Sequence, residues 1–428
     1  MRIRVSHQRC LTLVVVSCIV VRLLVMTALQ SWNLGPRYGY RDGEIASAIA
    51  AGDGFSWPRN SSYYPTNGEP ELTAWQAPVY PYIIAAVFHF LGIYSRSSAL
   101  VLIIFQILLS ALTCILLFQL GRRLFNANAG LLAGLMFAFY PSAVHFAVRT
   151  VEPVSLLIVL LLLFLLQVLQ LDKNPSRGKA ALAGGIFGIG LLTDPTIALF
   201  LPFALAWLLF SRRHEYGRRI AAIAMILMVA WLTISPRQIR DYMVFHQIFF
   251  IKSNFTRELF MGNYGSGEAG AEEPRQMTTL NEAQRGKLYR GKFLESVVEN
   301  PGQFLRSTLR RVAQFWTMPP EDQAEKENSS GAAKQIVAFS YYAVFALGIT
   351  GIGLTLLRGS AVHLLLMALL SLPVPYYLTW FTRFRYRFPV EPLLIIFAAY
   401  AVVRLSPRSA VTRNNAKGME KHGHLRNS

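Results

Sequence analysis

Repeated apolar runs constrain this chain more than any other feature of its sequence. They approach the roughly 20 residues that an α-helix needs to cross a bilayer, and polar or basic segments separate them. Of the 428 residues, 53% are hydrophobic and only 15% are charged. Because lipid satisfies no backbone hydrogen bonds, such runs fold as helices. The sequence therefore predicts an all-α polytopic membrane protein.

The positive charge of the chain also indicates a membrane rather than nucleic acid as its partner. The net charge is +19, but the basic residues lie mainly in short segments between apolar runs. This distribution is typical of the positive-inside rule. Cys10, Cys18 and Cys114 all lie in apolar segments, so they indicate neither a disulfide framework nor a zinc site.

The short apolar stretch from Pro78 to Gly92 decides the predicted topology. If it crossed the membrane, Arg122–Arg123, the Arg212–Arg219 cluster and the C-terminal tail would all lie outside. The basic residues therefore favour a juxtamembrane helix. With that choice, we predict about ten spans and cytoplasmic termini. The predicted spans are residues 11–28 (an uncleaved first span), 99–120, 129–147, 154–171, one long or two short spans in 180–210, 220–234, 336–357, 361–378 and 389–403.

The chain divides into four predicted regions. An interfacial helix begins at Pro301 in the second region, with Arg306, Arg310 and Arg311 off its apolar side. The regions are an N-terminal catalytic module, 1–235, with a first external loop at 30–98; an external segment, 236–335; C-terminal spans, 336–404; and a basic cytoplasmic tail, 405–428.

Carboxylates at the membrane edge are the first candidates for chemistry. Asp42 and Glu44 stand beside a short helical pattern, Ile45 to Ala51, in the polar stretch after the first span. The topology brings both to the same face as Glu152, and Asp194 joins them if the chain turns there. Each has a structural alternative, since Asp42 stands where an N-cap belongs and Glu152 opens a span where a helix dipole favours a carboxylate.

A run of arginines near the C-terminus is the second candidate. Arg383, Arg385 and Arg387 lie between two predicted spans on the external side, against the orientation rule. If the stretch is extended, their alternation with aromatic residues places three guanidinium groups on one side. Such forks suit phosphate, whereas anchoring among lipid headgroups is the alternative. One further cation, Arg22, lies inside the first span, where it either snorkels to the interface or has a function.

At this point the motifs resemble a family. The run D-x-E-x(5)-A-x-G-x-GFS after the first span is followed by PTN…APVYPY, RRLF, YP…VEP and RFRYRFPVEP. Their order resembles GT-C-fold, polyprenyl-phosphate-sugar-dependent glycosyltransferases of the bacterial protein-mannosyltransferase and aminoarabinose-transferase branch (glycosyltransferase family 39-like). The resemblance covers most of the chain and rests on the order and spacing of the motifs.

The resemblance implies roles for individual residues. It makes Asp42 the catalytic carboxylate of the first external loop and Glu152 the acid that opens the span after YP. The mannosyltransferases carry adjacent Asp-Glu where this chain has Asp-Gly-Glu, so Glu44 is an alternative base. The aminoarabinose transferases carry Glu-Lys-Pro where this chain has Gln76-Ala77-Pro78, which removes a metal ligand and argues against the same acceptor.

The function that follows is inverting sugar transfer on the external, periplasmic face of the inner membrane. The implied partners are a polyprenyl-phosphate-linked sugar donor, an envelope glycan, lipid or protein acceptor, and membrane lipids. Asp42 or Glu44 is the expected base, Glu152 orients the acceptor or the base, and the arginines stabilise the leaving phosphate. No cofactor is required by this chemistry, and a divalent metal is left open. The alternatives are a transporter or lipid flippase, and a non-catalytic assembly protein.

Overall fold

In the computed structural model, the chain is a bundle of helices, which confirms the predicted fold class. Within the described residues, the one sheet is a two-stranded antiparallel hairpin that pairs Ser56 with Leu72 and Trp57 with Glu71. The residues that the structure describes are 7–35, 37–64, 66, 68–211, 215–263, 280–317, 331–356, 359–379 and 384–406.

Up to Phe245, the described residues form ten α-helices, one 3-10 helix and the hairpin. These elements are α1 (His7–Ala28), α2 (Tyr40–Ala51), β1 (Ser56–Trp57), β2 (Glu71–Leu72), α3 (Val79–Leu91), α4 (Arg96–Leu124), α5 (Ala127–Phe139), α6 (Pro141–Val148), α7 (Val154–Lys173), α8 (Arg177–Thr193), a 3-10 helix (Pro195–Phe200), α9 (Leu201–Phe210) and α10 (Tyr216–Phe245).

The rest of the described chain holds eight α-helices and one 3-10 helix. They are α11 (Phe255–Asn263), α12 (Glu282–Glu299), α13 (Pro301–Thr317), α14 (Gly331–Gly353), α15 (Ser360–Ser371), α16 (Val374–Leu378), α17 (Phe384–Arg387) and, after a 3-10 helix (Phe388–Val390), α18 (Glu391–Leu405).

Among the described residues, fewer helices than the ten predicted spans are long and apolar enough to cross a membrane. Among the described residues, seven helices are long and apolar enough to cross a membrane, or eight if the bent pair α5–α6 counts as one span. The predicted count of about ten is not confirmed, because α8 has only 17 residues and the apolar segment Pro195–Phe210 is also short. The chain does break at Asp194, so 180–210 forms two pieces.

The two ends of the bundle are chemically distinct. At one end, Arg219 donates to Asp172 at 2.9 Å, and Ser211 donates to the same carboxylate at 2.5 Å. This cluster joins the end of α7 to the last turn of α9 and the first turn of α10. Asp194, at the far end of α8, ion-pairs instead with Lys252 beyond α10. The acidic residues predicted to share a face therefore lie at the end opposite the Arg219 cluster.

Arg22 has a role that neither sequence interpretation anticipated. The helix breaks by 55° between α5 and α6, where Pro141 has no N–H to donate to the carbonyl of Phe137. Arg22 is fully buried and donates to the carbonyls of Ala138 at 2.8 Å and Phe137 at 3.4 Å. The snorkelling interpretation was therefore wrong: this guanidinium satisfies carbonyls at the kink that directs the chain toward Glu152.

One prediction for the external segment needs correction. Helix α13 begins at Pro301 as predicted, but Arg311 is buried rather than on a polar face. It donates to the Gly262 carbonyl at 2.6 Å, and it also contacts Asn263 and Tyr377. Helix α10 continues through Pro236 to Phe245, past the predicted start of the segment. The four-region division stays a prediction.

The predicted topology can be tested by labelling. Helix α3 has 13 residues, about 20 Å of helix at 1.5 Å per residue, which is too short to cross about 30 Å of hydrocarbon. In a variant without native cysteines, we expect Ser97→Cys to react with an impermeant maleimide in intact cells and Gly217→Cys to react only after lysis. Both positions are exposed, so unequal labelling reports sidedness. Labelling of Gly217→Cys with protection of Ser97→Cys would reverse the topology.

Candidate active site

A tight turn before α2 places Asp42 inside the protein. Gly39, the N-cap, adopts a left-handed φ of 85° and offers no side-chain cap. The N-cap interpretation of Asp42 was therefore wrong, since Asp42 lies within the first turn. Gly43 is also constrained, because a Cβ there would stand 2.1 Å from the carbonyl oxygen of Tyr38. This contact gives a physical reason for glycine between the two acids.

The Asp42 carboxylate is buried and has no hydrogen-bond partner among the described residues. Only 8% of the residue is exposed, and within the described part of the chain no hydrogen bond reaches its carboxylate. Burial raises its pKa to about 7, and the nearby carboxylates of Glu152 and Asp194 add to the rise. Lys252 and Arg385 oppose it. The environment thus holds a carboxyl group that exchanges its proton near neutral pH.

Glu152 lies beside Asp42 and faces an arginine. It is 5% exposed, and its Oε1 lies 4.0 Å from Nη1 of Arg385. Its backbone N–H donates to Oε1 of Gln106 on α4 at 3.3 Å. The segment before α7, which follows the kinked helix, therefore delivers an acid to the site from a different part of the chain.

Asp194 reaches the same region from the break after α8. Its Oδ1 accepts from the backbone N–H of Thr196 at 3.0 Å, which caps the 3-10 helix. Its other oxygen lies 3.9 Å from Nζ of Lys252. Asp42, Glu152 and Asp194 are thus brought together as predicted. The positive charges of Lys252 and Arg385 lower the pKa of Asp42.

Glu44 does not join this group. It is 1% exposed and accepts from the Ser61 hydroxyl at 2.6 Å and the Ser62 N–H at 2.9 Å, with Arg37 at 3.6 Å. Two residues on from Asp42 along a helix, a side chain points about 200° away. Glu44 lies at the same end of the bundle as the other acids, but its oxygens hold the loop after β1 instead of facing them. Its candidacy as a base stays a prediction that the geometry disfavours.

The three C-terminal arginines are not equivalent. Residues 384–387 form one helical turn rather than an extended strand, so the predicted alternation does not place the three groups on one side. Arg387 is buried, donates to Glu391 at 3.0 Å and stacks 3.5 Å from the centre of the Tyr341 ring. Of the two that the structure describes, Arg385 is the one that faces Glu152. Arg383 lies outside the described residues.

Further cations near Asp42 were missed by sequence reasoning. Arg41 and Arg257 both lie over the ring of Trp75, at 5.7 and 5.5 Å, and both approach Glu258, at 4.0 and 3.8 Å. Arg41 also lies close enough to Arg385 for the charge of Arg385 to lower its pKa further, after the larger effect of burial. Adjacency to Asp42 was a usable signal for Arg41, whereas Arg257 and Lys252 gave none.

Two charged side chains, Glu282 and Arg240, bind the hairpin and the segment after it. Glu282, the first residue of α12, accepts from Thr73, from the Ala74 N–H at 2.9 Å and from Ser253 at 2.8 Å. Arg240 donates to the carbonyls of Thr73 at 2.7 Å and Phe55 at 2.9 Å. These bonds fix the loop between the first span and α3 against the external segment.

Within the residues that the structure describes, no group of three or more His, Cys, Asp or Glu side chains is placed to hold a metal ion. The prediction that no cofactor is required is not tested by the geometry and stays a prediction.

Comparison with known proteins tests the family resemblance that the motifs suggest. Residues 75–238 match the model of the dolichyl-phosphate-mannose-protein mannosyltransferase family. The apo oligosaccharyltransferase of Archaeoglobus fulgidus superposes with a TM-score of 0.57 at 16% identity, over 97% of this chain and 52% of that one. This chain has the GT-C fold. The predicted resemblance to GT-C, mannosyltransferase-like proteins is confirmed.

Two other structures resemble this GT-C protein. The Archaeoglobus fulgidus oligosaccharyltransferase AglB, in complex with an inhibitory peptide and a dolichol-phosphate, matches with a TM-score of 0.53 at 15% identity over 94% of this chain and 52% of that one. ArnT from Cupriavidus metallidurans bound to undecaprenyl phosphate matches with a TM-score of 0.51 at 16% identity, over 93% and 63%.

The GT-C protein is shorter than these relatives. It spans about half of the archaeal enzyme and 63% of ArnT. A sequence comparison with curated proteins gives no significant match.

Proposed function

We propose that this protein is an inverting glycosyltransferase that moves a sugar from a polyprenyl-phosphate donor to an acceptor on the external face of the membrane. The observation that carries the proposal is Asp42, a buried carboxylate with no hydrogen bond within the described part of the chain. It faces the Glu152–Arg385 pair at one end of the bundle. A base poised near neutral pH beside a guanidinium suits transfer from a phosphate leaving group.

The chemistry needs one displacement. An acceptor hydroxyl attacks the anomeric carbon while Asp42 takes its proton, and the bond from that carbon to the phosphate oxygen breaks. The electron pair stays on the lipid phosphate, whose growing charge Arg385 and Lys252 stabilise. Glu152 orients the acceptor or the base. Attack opposite the leaving group inverts the anomeric centre.

Apolar side chains lie next to the proposed phosphate site. They line a gap of only about 10 Å³ between α7, the 3-10 helix after α8, and the helices around Tyr376 and Tyr386. Tyr386 stacks on Tyr376 and neighbours Arg385, so apolar walls begin beside the proposed phosphate site. A phosphate that carries a hydrocarbon chain matches this succession of charged and apolar surface.

The polyprenyl-phosphate ligands of two structural neighbours agree with this donor class. A transporter is favoured less, because the acids lie at helix ends and in connecting segments rather than on a helix broken at the bilayer midplane. The acceptor class remains a glycan, a lipid or a protein of the envelope.

The test is transfer in reconstituted vesicles. Purified protein is given polyprenyl-phosphate mannose and related lipid-phosphate sugars, together with envelope extract as the acceptor source. We expect loss of label from the lipid and its appearance in one acceptor fraction. Absence of transfer from every donor, by protein that is folded, would contradict the proposal.

The dependence of the rate on pH follows from the environment of Asp42. Because burial and like charges raise the pKa to about 7, the carboxyl keeps its proton below that pH and cannot act as a base. We expect kcat/KM, which reports the free enzyme, to rise with pH through about 7. Lys252→Met should move this rise to higher pH, since the ammonium group lowers the Asp42 pKa. A rise centred near pH 4 would contradict the assignment.

A further inference from the structure

Gln106 is a buried polar side chain that the proposed chemistry does not use. It lies within the apolar helix α4 and is fully buried. Its Nε2 donates to the Thr150 carbonyl at 2.5 Å. Its Oε1 accepts from the Tyr80 hydroxyl at 3.1 Å and from the Glu152 N–H at 3.3 Å. One amide therefore joins α3, α4 and the segment that carries Glu152.

The segment held by Gln106 needs such a partner. Residues 150–152 lie between α6 and α7 in no regular structure, so helical bonds do not satisfy their backbone groups. A buried backbone group left without a partner costs about 1–3 kcal/mol. Gln supplies a donor and an acceptor on one planar group, which matches one carbonyl and one N–H. Leu offers neither.

Tyr80 extends the same network toward the acids. It is 1% exposed, and burial raises the pKa of its hydroxyl, to which the charges of Asp42 and Glu152 add. Tyr80 therefore lies within electrostatic reach of both carboxylates, while its hydroxyl donates to Gln106. The Gln106 amide thus fixes the backbone of Glu152 and the hydroxyl of Tyr80, which lies near both carboxylates.

We propose that Gln106 is a positioning residue for sugar transfer, holding Glu152, and through it Arg385, in register with Asp42. This rests on the proposed function. Gln106 touches no side chain of the three, so it acts through the 150–152 backbone and Tyr80. Because a misplacement of about 1 Å can cost on the order of 100-fold in rate, a fixed backbone at Glu152 matters for turnover.

The test compares Gln106 with a second glutamine on a neighbouring helix, Gln167, whose Oε1 atom is buried. Gln106→Leu removes all three hydrogen bonds, whereas Gln167→Leu makes the same change on α7, where Oε1 has no hydrogen-bond partner within the described chain. For Gln106→Leu we expect kcat to fall about 10- to 100-fold, with a change of less than about threefold in KM for the lipid donor. We expect Gln167→Leu to behave as wild type. Tyr80→Phe, which removes a single bond, covers the case in which Gln106→Leu does not fold.

Two further measurements separate positioning from a general loss of structure. Since Glu152 raises the Asp42 pKa, its displacement should move the rise in kcat/KM to lower pH, opposite to Lys252→Met. Amide hydrogen exchange should speed up at least about tenfold at residues 150–152 in Gln106→Leu and stay unchanged in Gln167→Leu.

Each outcome has a defined meaning. Unchanged exchange, or equal losses in both Leu variants, would overturn the proposal. Faster exchange at 150–152 with unaltered kcat would show that Gln106 holds the segment without serving catalysis, which also overturns it. If wild-type protein transfers no sugar from any donor, the proposed function fails by itself, and the inference that rests on it falls even if exchange responds as expected.

Discussion

We expect Asp42→Asn to reach the membrane at normal levels and to lose about 10²- to 10⁴-fold in transfer rate, the range typical of removing a general base. Asn has nearly the same size as Asp but cannot accept the proton of the acceptor hydroxyl. Folding should survive, because no hydrogen bond to this carboxylate occurs within the described residues and burial already disfavours its charged form. Single-turnover transfer from a purified lipid-phosphate sugar measures the loss.

Glu44→Gln is the matched control on the same helix. Glu44 holds Ser61 and Ser62, so its replacement should weaken the loop after β1 and lower thermal stability. The rate per folded molecule should stay within about threefold of wild type, since the side chain does not face the site. The reverse ranking would move the base to Glu44. Full activity in both variants would refute a catalytic acid at either position.

Arg385→Lys should lower turnover by more than about tenfold, equivalent to roughly 1.4 kcal/mol of transition-state stabilisation. Arg385 is 29% exposed at its side chain, faces Glu152 at 4.0 Å and keeps a buried Nε without a hydrogen-bond partner in the described chain. A guanidinium offers a planar fork to a phosphate, whereas an ammonium group offers a point charge. The measurement is again single-turnover transfer, at equal protein density in the vesicles.

Arg387→Lys provides the contrast two residues away. Arg387 is engaged with Glu391 and with the Phe315 carbonyl, so its replacement should lower stability by about 1–3 kcal/mol and leave the turnover of folded protein unchanged. If Arg385→Lys matches wild type, the phosphate partner must lie elsewhere, and Lys252 is the next residue to test. Arg237 and Arg240 are weaker candidates, because they bind Asp241 and the hairpin carbonyls.

Several site residues could be predicted from the sequence because their signals are local. Asp42 and Glu152 each stand at the edge of an apolar run. The number of predicted membrane crossings between them is even, which puts both at one end of the bundle. The break at Asp194 followed from Asp-Pro within an apolar segment of ambiguous length. In each case the signal spans only a few residues and depends on hydrophobicity or proline.

The errors arose where a side chain's partner lies far away in sequence. Arg22 contacts carbonyls more than 100 residues away, and Arg387 bonds to a carbonyl 72 residues away. Arg311 likewise bridges 49 residues to Gly262. No local sequence pattern shows which buried acceptor is available to an arginine. Charge and sequence position therefore favoured exposed or interfacial positions for all three.

The sequence by itself determined that this protein crosses a membrane, that its helices alternate in direction, and that acids gather at one end, since bilayer thickness and basic loops dictate these properties. Only the tertiary structure decided which of the two acids in α2 lacks a hydrogen-bond partner within the described chain. Asp42 and Glu44 are two residues apart and chemically alike, yet one carboxylate has no bonded partner in the described chain while the other holds a loop. The difference comes from the turn of the helix and the hairpin packed against it, which place serine donors on one side of α2 and acids and cations on the other.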